Sequence, residues 1–340
     1  MPEPARLAPR WARRLPAVSP VVVRRLSLVS LVCVGAIVLT GAAVRVTGSG
    51  LGCADWPDCF KNHVTPPLQF HSLMEFGNRM VTVLLVVVIG VTFVATLLRR
   101  PLRRDLVWLS GGLVAGVLLE AVLGGIVVYT KLNPYLVMVH FLATMLLVVD
   151  AAVLLHRSSR VYGPGTGRVL VPRPITLLTR GMAVLLTVVV AAGAATTGTA
   201  PDSGGALGQH IVRIPVSLRD MAEVHATLAL FLIGVVLSLA VALHALDVPE
   251  RVRKAARMLV VVLVFQGVVG YSQYFTHLPA ALVELHELGV TVLVIGMTQF
   301  VLTLTHHAAE PLAATVPAFA RRRPEGVGVA RTADRITAGS

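Results

Sequence analysis

The sequence predicts an all-α polytopic membrane protein, with eight transmembrane helices forming two pseudo-symmetric four-helix bundles. Three observations predict it. Of 340 residues, 55% are hydrophobic and only 14% are charged; a soluble globule carries about 25% charged residues and cannot hide this much apolar surface. Several apolar runs exceed about 18 residues, the length that crosses the hydrocarbon of a bilayer. These runs fall into two sets of four with related motifs at corresponding places.

The first span, 26–46, follows a basic tail over 1–25. Its apolar stretch is about 20 residues, longer than the core of a secretory signal, so a retained helix is expected. The second, 72–98, opens in FHSLMEFGNRM, where His71, Glu75 and Asn78 share one face within about 60° and Arg79 follows. The third, 105–128, carries Glu120, a buried carboxylate to which the sequence assigns no role. The fourth, 134–155, carries His140. A Gly- and Pro-rich linker over 156–175 separates the first bundle, 26–155, from the second, 176–305. The second contains spans 176–198, 220–246, 255–275 and 281–304. Residues 306–340 form a tail whose polar part, from 311, is expected to be disordered.

The net charge of +13 does not mark a nucleic-acid surface. Of 30 Lys and Arg residues, 24 lie in the two tails and in the loops on one side of the spans. The positive-inside rule then places both termini in the cytoplasm of a multi-pass plasma-membrane protein.

The halves resemble each other in order. Val46-Thr47-Gly48-Ser49-Gly50 and Thr196-Thr197-Gly198-Thr199-Ala200 end the first span of each. Next comes a long external loop, then a span opening with Glu75 or Glu223. The third spans end Gly124-Gly125-Ile126-Val127-Val128-Tyr129 and Gln266-Gly267-Val268-Val269-Gly270-Tyr271, and the fourth carry His140 and His286. Four spans per unit give both units the same orientation, a parallel repeat.

Cys33 lies within the first span and reads as a packing thiol, whereas Cys53 and Cys59 share the first external loop. They are either free thiols or a disulfide; the oxidising compartment favours the disulfide, closing a short, reducible loop around Trp56-Pro57. His156, His244, His306 and His307 fall at cytoplasmic helix ends and read as interfacial residues near lipid headgroups, and His63, His210 and His277 lie near external loops. None of these seven is assigned chemistry. His140, His225 and His286 lie within apolar spans, where an ionisable group needs a partner. His225 and His286, on separate helices at matching depth, can ligate one haem iron from both faces. In the first half His140 takes the place of His286, while Asn78 takes that of His225, with His71 two turns away. Glu223 and Glu284 flank the second-half histidines as either haem-edge or surface carboxylates.

These residues resemble the haem A synthase family of cytochrome-oxidase assembly. The resemblance rests on TGSGLGC-x-DWP-x-C at 47–59, EF-x-NR at 75–79, GG-x-VVYT-x-LNP at 124–134 and the helix histidines, and it covers roughly 26–305. It implies conversion of haem O to haem A, a ring methyl becoming a formyl through successive hydroxylations. The first bundle then holds the substrate haem O near His71, Asn78, Arg79 and His140, with His140 as iron ligand and Glu75 as the essential carboxylate. The second holds a haem b cofactor on His225 and His286. Cys53 and Cys59 become the family's external-loop pair, and Arg79 a partner for Glu75 or a haem propionate. Partners implied are haem O synthase and oxidase assembly factors, with membrane lipid around the bundle and a homo-oligomer left open. Two features depart from the family. Many relatives have His where Asn78 stands, so His71 substitutes as ligand or that iron face stays open. Residues 199–219 lack a second cysteine pair, so no redox role is expected of that loop.

Three other readings compete. A dihaem electron-transfer cytochrome b needs two saturated bis-His sites and no essential carboxylate. A transporter of parallel repeats is expected to show Gly- or Pro-broken helices at mid-membrane. A structural scaffold leaves the three buried histidines without purpose.

Overall fold

The computed structural model describes residues 16–60, 63–162, 168–200, 204–206, 209, 211–306 and 309–310. The expectations placed on residues 1–15, His210, His307 and 311–340 lie outside the described residues. Eight helices are long and apolar enough to cross a membrane: α1 Pro20–Val46, α2 Phe70–Leu98, α3 Arg104–Tyr129, α4 Pro134–Ser158, α5 Arg173–Thr199, α6 Leu218–Ala245, α7 Glu250–Phe275 and α8 Ala280–Thr303.

Most helices overrun their apolar spans, for local reasons. α1 begins at Pro20 rather than 26: the Ser19 hydroxyl accepts the Val22 N–H at 3.3 Å, and proline suits the first helical turn. α7 begins at Glu250 rather than 255, because Glu250 takes Arg253 at 2.9 Å and Arg257 at 2.5 Å along its first two turns. Asn133 caps α4, accepting from Tyr135 and Leu136 before Pro134 turns the chain into helix. Arg and Lys heads reach the polar interface from such ends while their stems stay apolar.

In the first half α1 and α3 each pack on both α2 and α4, closing a ring. In the second, α5, α6, α7 and α8 pack in sequence, and α5 touches α8 only lightly. The halves meet where α4 and α1 lie on α8 and α4 lies on α5. Small polar groups bind helices together, as lipid supplies no hydrophobic drive between them. Ser30 bonds Thr92 at 2.9 Å between α1 and α2, and Thr96 bonds Ser110 at 2.8 Å between α2 and α3. Across the seam, Gln299 meets His156 Nδ1 at 2.8 Å and donates to the Ala152 carbonyl at 3.1 Å. His156 is therefore not the headgroup residue the sequence suggested; it is 8% exposed and joins the halves.

The all-helical plan has one small addition. Val161–Tyr162 pairs antiparallel with Ala309–Glu310, and Arg168–Val169 with Thr305–His306, tying the linker to the segment after α8.

The repeat is visible in backbone geometry. Lys131 and Leu132 between α3 and α4 have φ of 53° and 59°; His277 and Leu278 between α7 and α8 have 62° and 60°. Two consecutive non-glycine residues in the left-handed region are uncommon. In both turns three backbone bonds recur: Thr130 to Ile126, Lys131 to Val128 and Leu132 to Val127; Thr276 to Ser272, His277 to Tyr274 and Leu278 to Gln273. From 131 to 277 the shift is 146 residues, and the same shift relates His140 to His286, Gly124 to Gly270 and Glu120 to Gln266.

Candidate active site at the disulfide end of the bundles

Cys53 and Cys59 are joined in a disulfide in the loop between α1 and α2. That loop sits directly on the polar start of α2. Glu75 is only 5% exposed. Its Oε2 accepts the Cys53 backbone N–H at 2.7 Å, and its Oε1 accepts Arg79 Nη2 at 2.6 Å. Arg79 also donates to the carbonyls of Asp55 at 3.0 Å, Pro57 at 3.3 Å and Asp58 at 2.8 Å. One guanidinium thus holds both the carboxylate and the disulfide loop. Charge-assisted bonds of this kind are short and directional. The ring of Trp56 lies on Gly125 of α3, and Tyr129 donates to the Trp56 carbonyl at 2.5 Å.

Gly52 permits this docking. A Cβ there would overlap the His71 carbonyl and crowd the Ser72 nitrogen, both backbone atoms, and the Ser72 hydroxyl donates to the Gly52 carbonyl at 2.7 Å. Gly52→Ala should therefore lift the loop from α2 at a cost of about 1–3 kcal/mol. A thermal melt of the purified protein reads this as a lower midpoint; an unchanged midpoint would refute it.

His71 and Asn78 are both engaged. His71 is exposed and its Nδ1 lies 3.0 Å from the Ser49 hydroxyl, itself 2.8 Å from Thr47. Asn78 Oδ1 accepts the Thr40 hydroxyl of α1 at 2.7 Å.

His140 of α4 sits six residues into its helix, about 9 Å along the axis. Its Nδ1 is 2.6 Å from Glu120 Oε2 of α3, at ion-pair distance but without the in-line angle of a hydrogen bond. The Thr144 hydroxyl is 3.0 Å from both Glu120 Oε2 and the His140 carbonyl. Glu120 is 9% exposed, and its Oε1 is buried without a partner.

His225 of α6 and His286 of α8 face each other with ring centres 6.3 Å apart and planes at 80°. The His225 Nδ1 lies 3.0 Å from the Val189 carbonyl of α5, which engages that nitrogen and leaves Nε2 as the ring's other coordinating atom. His286 sits six residues into α8, and its Nδ1 is buried with no partner. Each ring rests on a glycine, His225 on Gly193 and His286 on Gly270. Two nitrogen–metal bonds of about 2 Å plus two half-rings give a centre spacing of this order, so the pair fits a haem iron between them.

The remaining carboxylates separate. Glu223 is exposed and pairs with Arg219 at 2.9 Å on the surface of α6. Glu287, beside His286, pairs across the seam with Arg45 of α1 at 3.5 Å. Glu284 Oε1 is buried without a partner. Cys33 is a free thiol, half-buried. Among the described residues no group of three or more His, Cys, Asp or Glu forms a metal cage.

Two contacts escaped sequence reasoning. The Cys53 N–H on Glu75 is a backbone donor and leaves no sequence signal. The Glu120–His140 contact had one: Glu120 and Gln266 occupy matching places relative to the two α-helical hairpins.

The fold and these clusters define a polytopic helical membrane protein with ionisable groups gathered inside one end of its bundles. A family model described as a cytochrome oxidase assembly protein, COX15-CtaA, matches residues 24–298. The chain belongs to this family. Among curated proteins, a Heme A synthase of Geobacillus kaustophilus (strain HTA426) is 33% identical over 128 residues, 36% of this chain and 39% of that protein. A Heme A synthase of Geobacillus thermodenitrificans matches with the same identity and coverage. One of Lysinibacillus sphaericus (strain C3-41) is 31% identical over 114 residues, 33% of this chain and 36% of that protein. The aligned stretch spans less than half the length of each of these relatives.

Proposed function

We propose that the protein is a haem A synthase-like oxidoreductase of the plasma membrane, with both termini cytoplasmic. It oxidises a methyl of haem O to the formyl of haem A through successive hydroxylations, for cytochrome oxidase biogenesis. The carrying observation is the difference between the halves. The second presents two facing imidazoles and fits a bis-His haem b; the first presents a buried, loop-sealed carboxylate, Glu75, and one intramembrane histidine, His140.

Each residue has a part. His225 and His286 hold haem b, which when bound supplies a one-electron carrier beside the substrate half. His140 binds the iron of the substrate haem O. Asn78, held by Thr40, leaves the opposite iron face open, and His71 stays with Ser49. Glu75 accepts or returns a proton at the methyl carbon's oxygen through a carboxylate oxygen, as Arg79 and the Cys53 N–H fix its position. The disulfide loop excludes water from Glu75. Haem O synthase then supplies the substrate, and assembly factors receive the product.

A dihaem electron-transfer cytochrome fits less well, since it gives the sealed Glu75 no task. Co-expression with a haem O source, followed by pigment extraction and mass identification, tests the proposal. Haem A in the extract is expected. A folded, haem-loaded protein that yields none rules it out.

A further inference from the structure

We infer that Glu120 is the positioning residue for the first-half iron ligand: its carboxylate takes the Nδ1–H of His140, aims Nε2 at the iron, and gives the first half a more electron-rich ligand than the second. The inference rests on the reading of His140 as that ligand. It begins from the 146-residue repeat. His140 and His286 occupy the same place, and each ring faces a matching glycine, Gly124 or Gly270, at 3.7 and 3.3 Å from the position of an added Cβ. Apart from the His225 ring that faces His286, the two environments differ in what meets Nδ1.

In the first half that partner is a carboxylate at 2.6 Å, steadied by Thr144 at 3.0 Å. In the second, Gln266 stands at the position of Glu120 and Val290 at that of Thr144. Gln266 turns away and donates to the His286 backbone carbonyl at 3.0 Å, and His286 Nδ1 has no partner. The carboxylate device is therefore built into one half and missing from the other.

An acidic side chain within a membrane span needs a reason. No ion-pair partner other than His140 lies at Glu120 among the described residues, and its Oε1 has none at all. A carboxylate on the far nitrogen of a metal-bound histidine fixes the ring and raises its basicity. A more basic ligand favours the oxidised iron, so the first-half haem should sit at lower potential than it would with an amide at 120. In the fold as it stands the ring N–H is off-line. A small turn of the imidazole on binding iron brings it into line with Oε2.

The test uses the full-length purified protein carrying haem b and loaded anaerobically with haem O. Glu120→Gln, Glu120→Ala and His140→Ala are compared with the native chain by spectroscopic redox titration and haem O binding. Glu120→Gln should raise the haem O midpoint potential and leave that of haem b unchanged. Glu120→Ala should in addition weaken haem O binding about 10–100-fold. Haem O potential and affinity equal to the native values in both variants would overturn the inference. His140→Ala separates this from the underlying reading: if it leaves the haem O spectrum unchanged, the ligand assignment itself fails. Where Glu120→Ala yields no protein, Glu120→Gln carries the test, because the fold already accepts an amide at the matching position 266.

Discussion

Glu75→Gln should stop haem A formation while leaving the haem b spectrum intact. The carboxylate is buried, and both its oxygens are spoken for, one by Cys53 and one by Arg79. An amide can still accept one of these bonds, so the loop should stay docked; Arg79 keeps its three loop carbonyls in any case. What the amide cannot do is take a proton. Loss of a positioned general base lowers rates by about 10²–10⁴-fold, enough to leave haem O or a hydroxylated intermediate as the pigment recovered. Glu75→Ala should lose the same activity and also strand the buried Cys53 N–H, at about 1–3 kcal/mol of stability. The contrast between the two variants separates chemistry from folding. Haem A produced by Glu75→Gln at the native rate would remove Glu75 from the reaction and leave it a loop anchor.

The same cluster shows what the sequence could and could not convey. The eight helices were legible because apolar length in a bilayer admits few alternatives. Their ends were less so: Ser19, Pro20 and Glu250 extend α1 and α7 by capping and ion pairing, local effects that hydropathy does not see. The polar face of α2 was legible from helical spacing. Its partner was not, since Glu75 binds a backbone N–H and Arg79 binds three backbone carbonyls, and such groups have no identity in a sequence. His156 misled for a related reason. Its place near a helix end resembled a headgroup position, but α4 there packs on α8, and Gln299 buries it. Glu120 is anomalous in sequence as an acid within an apolar span, and only the repeat, which sets Gln266 at the matching place, points to its histidine.

On the proposed reading, the repeat lets one arrangement serve two tasks. Both hairpins, α3–α4 and α7–α8, hold a histidine six residues into the helix that follows a turn with two left-handed residues. That turn fixes the angle between the helices and hence the depth of the ring. Around this constant scaffold only a few side chains differ: Glu120 against Gln266, Thr144 against Val290, Asn78 against His225. Against the second half, the first has a carboxylate in place of an amide, a hydroxyl in place of a methyl, and an amide in place of an imidazole. On the proposed reading these differences leave an open, electron-rich iron in one bundle and a saturated one in the other.

His286→Ala should abolish the low-spin haem b spectrum and leave the first-half site able to bind haem O. In the second half the two imidazoles are 6.3 Å apart at their centres, so each is the other's counterpart across any iron held between them. Removing one leaves a five-coordinate haem at best, and the signature of two nitrogen ligands disappears. His225→Ala should have the same spectral outcome by a different route. It also frees the Val189 carbonyl of the ring nitrogen that lies 3.0 Å away and opens the space above Gly193. The haem b content of His225→Ala should therefore be no higher than that of His286→Ala. Purification of both variants, with pyridine haemochrome quantification beside the visible spectrum, distinguishes loss of a ligand from loss of the haem. Haem A formation should fall with either variant if, as proposed, haem b is the electron carrier for the substrate half. An unchanged low-spin spectrum in both would show that haem b lies elsewhere, and the facing pair would then be a structural contact between α6 and α8.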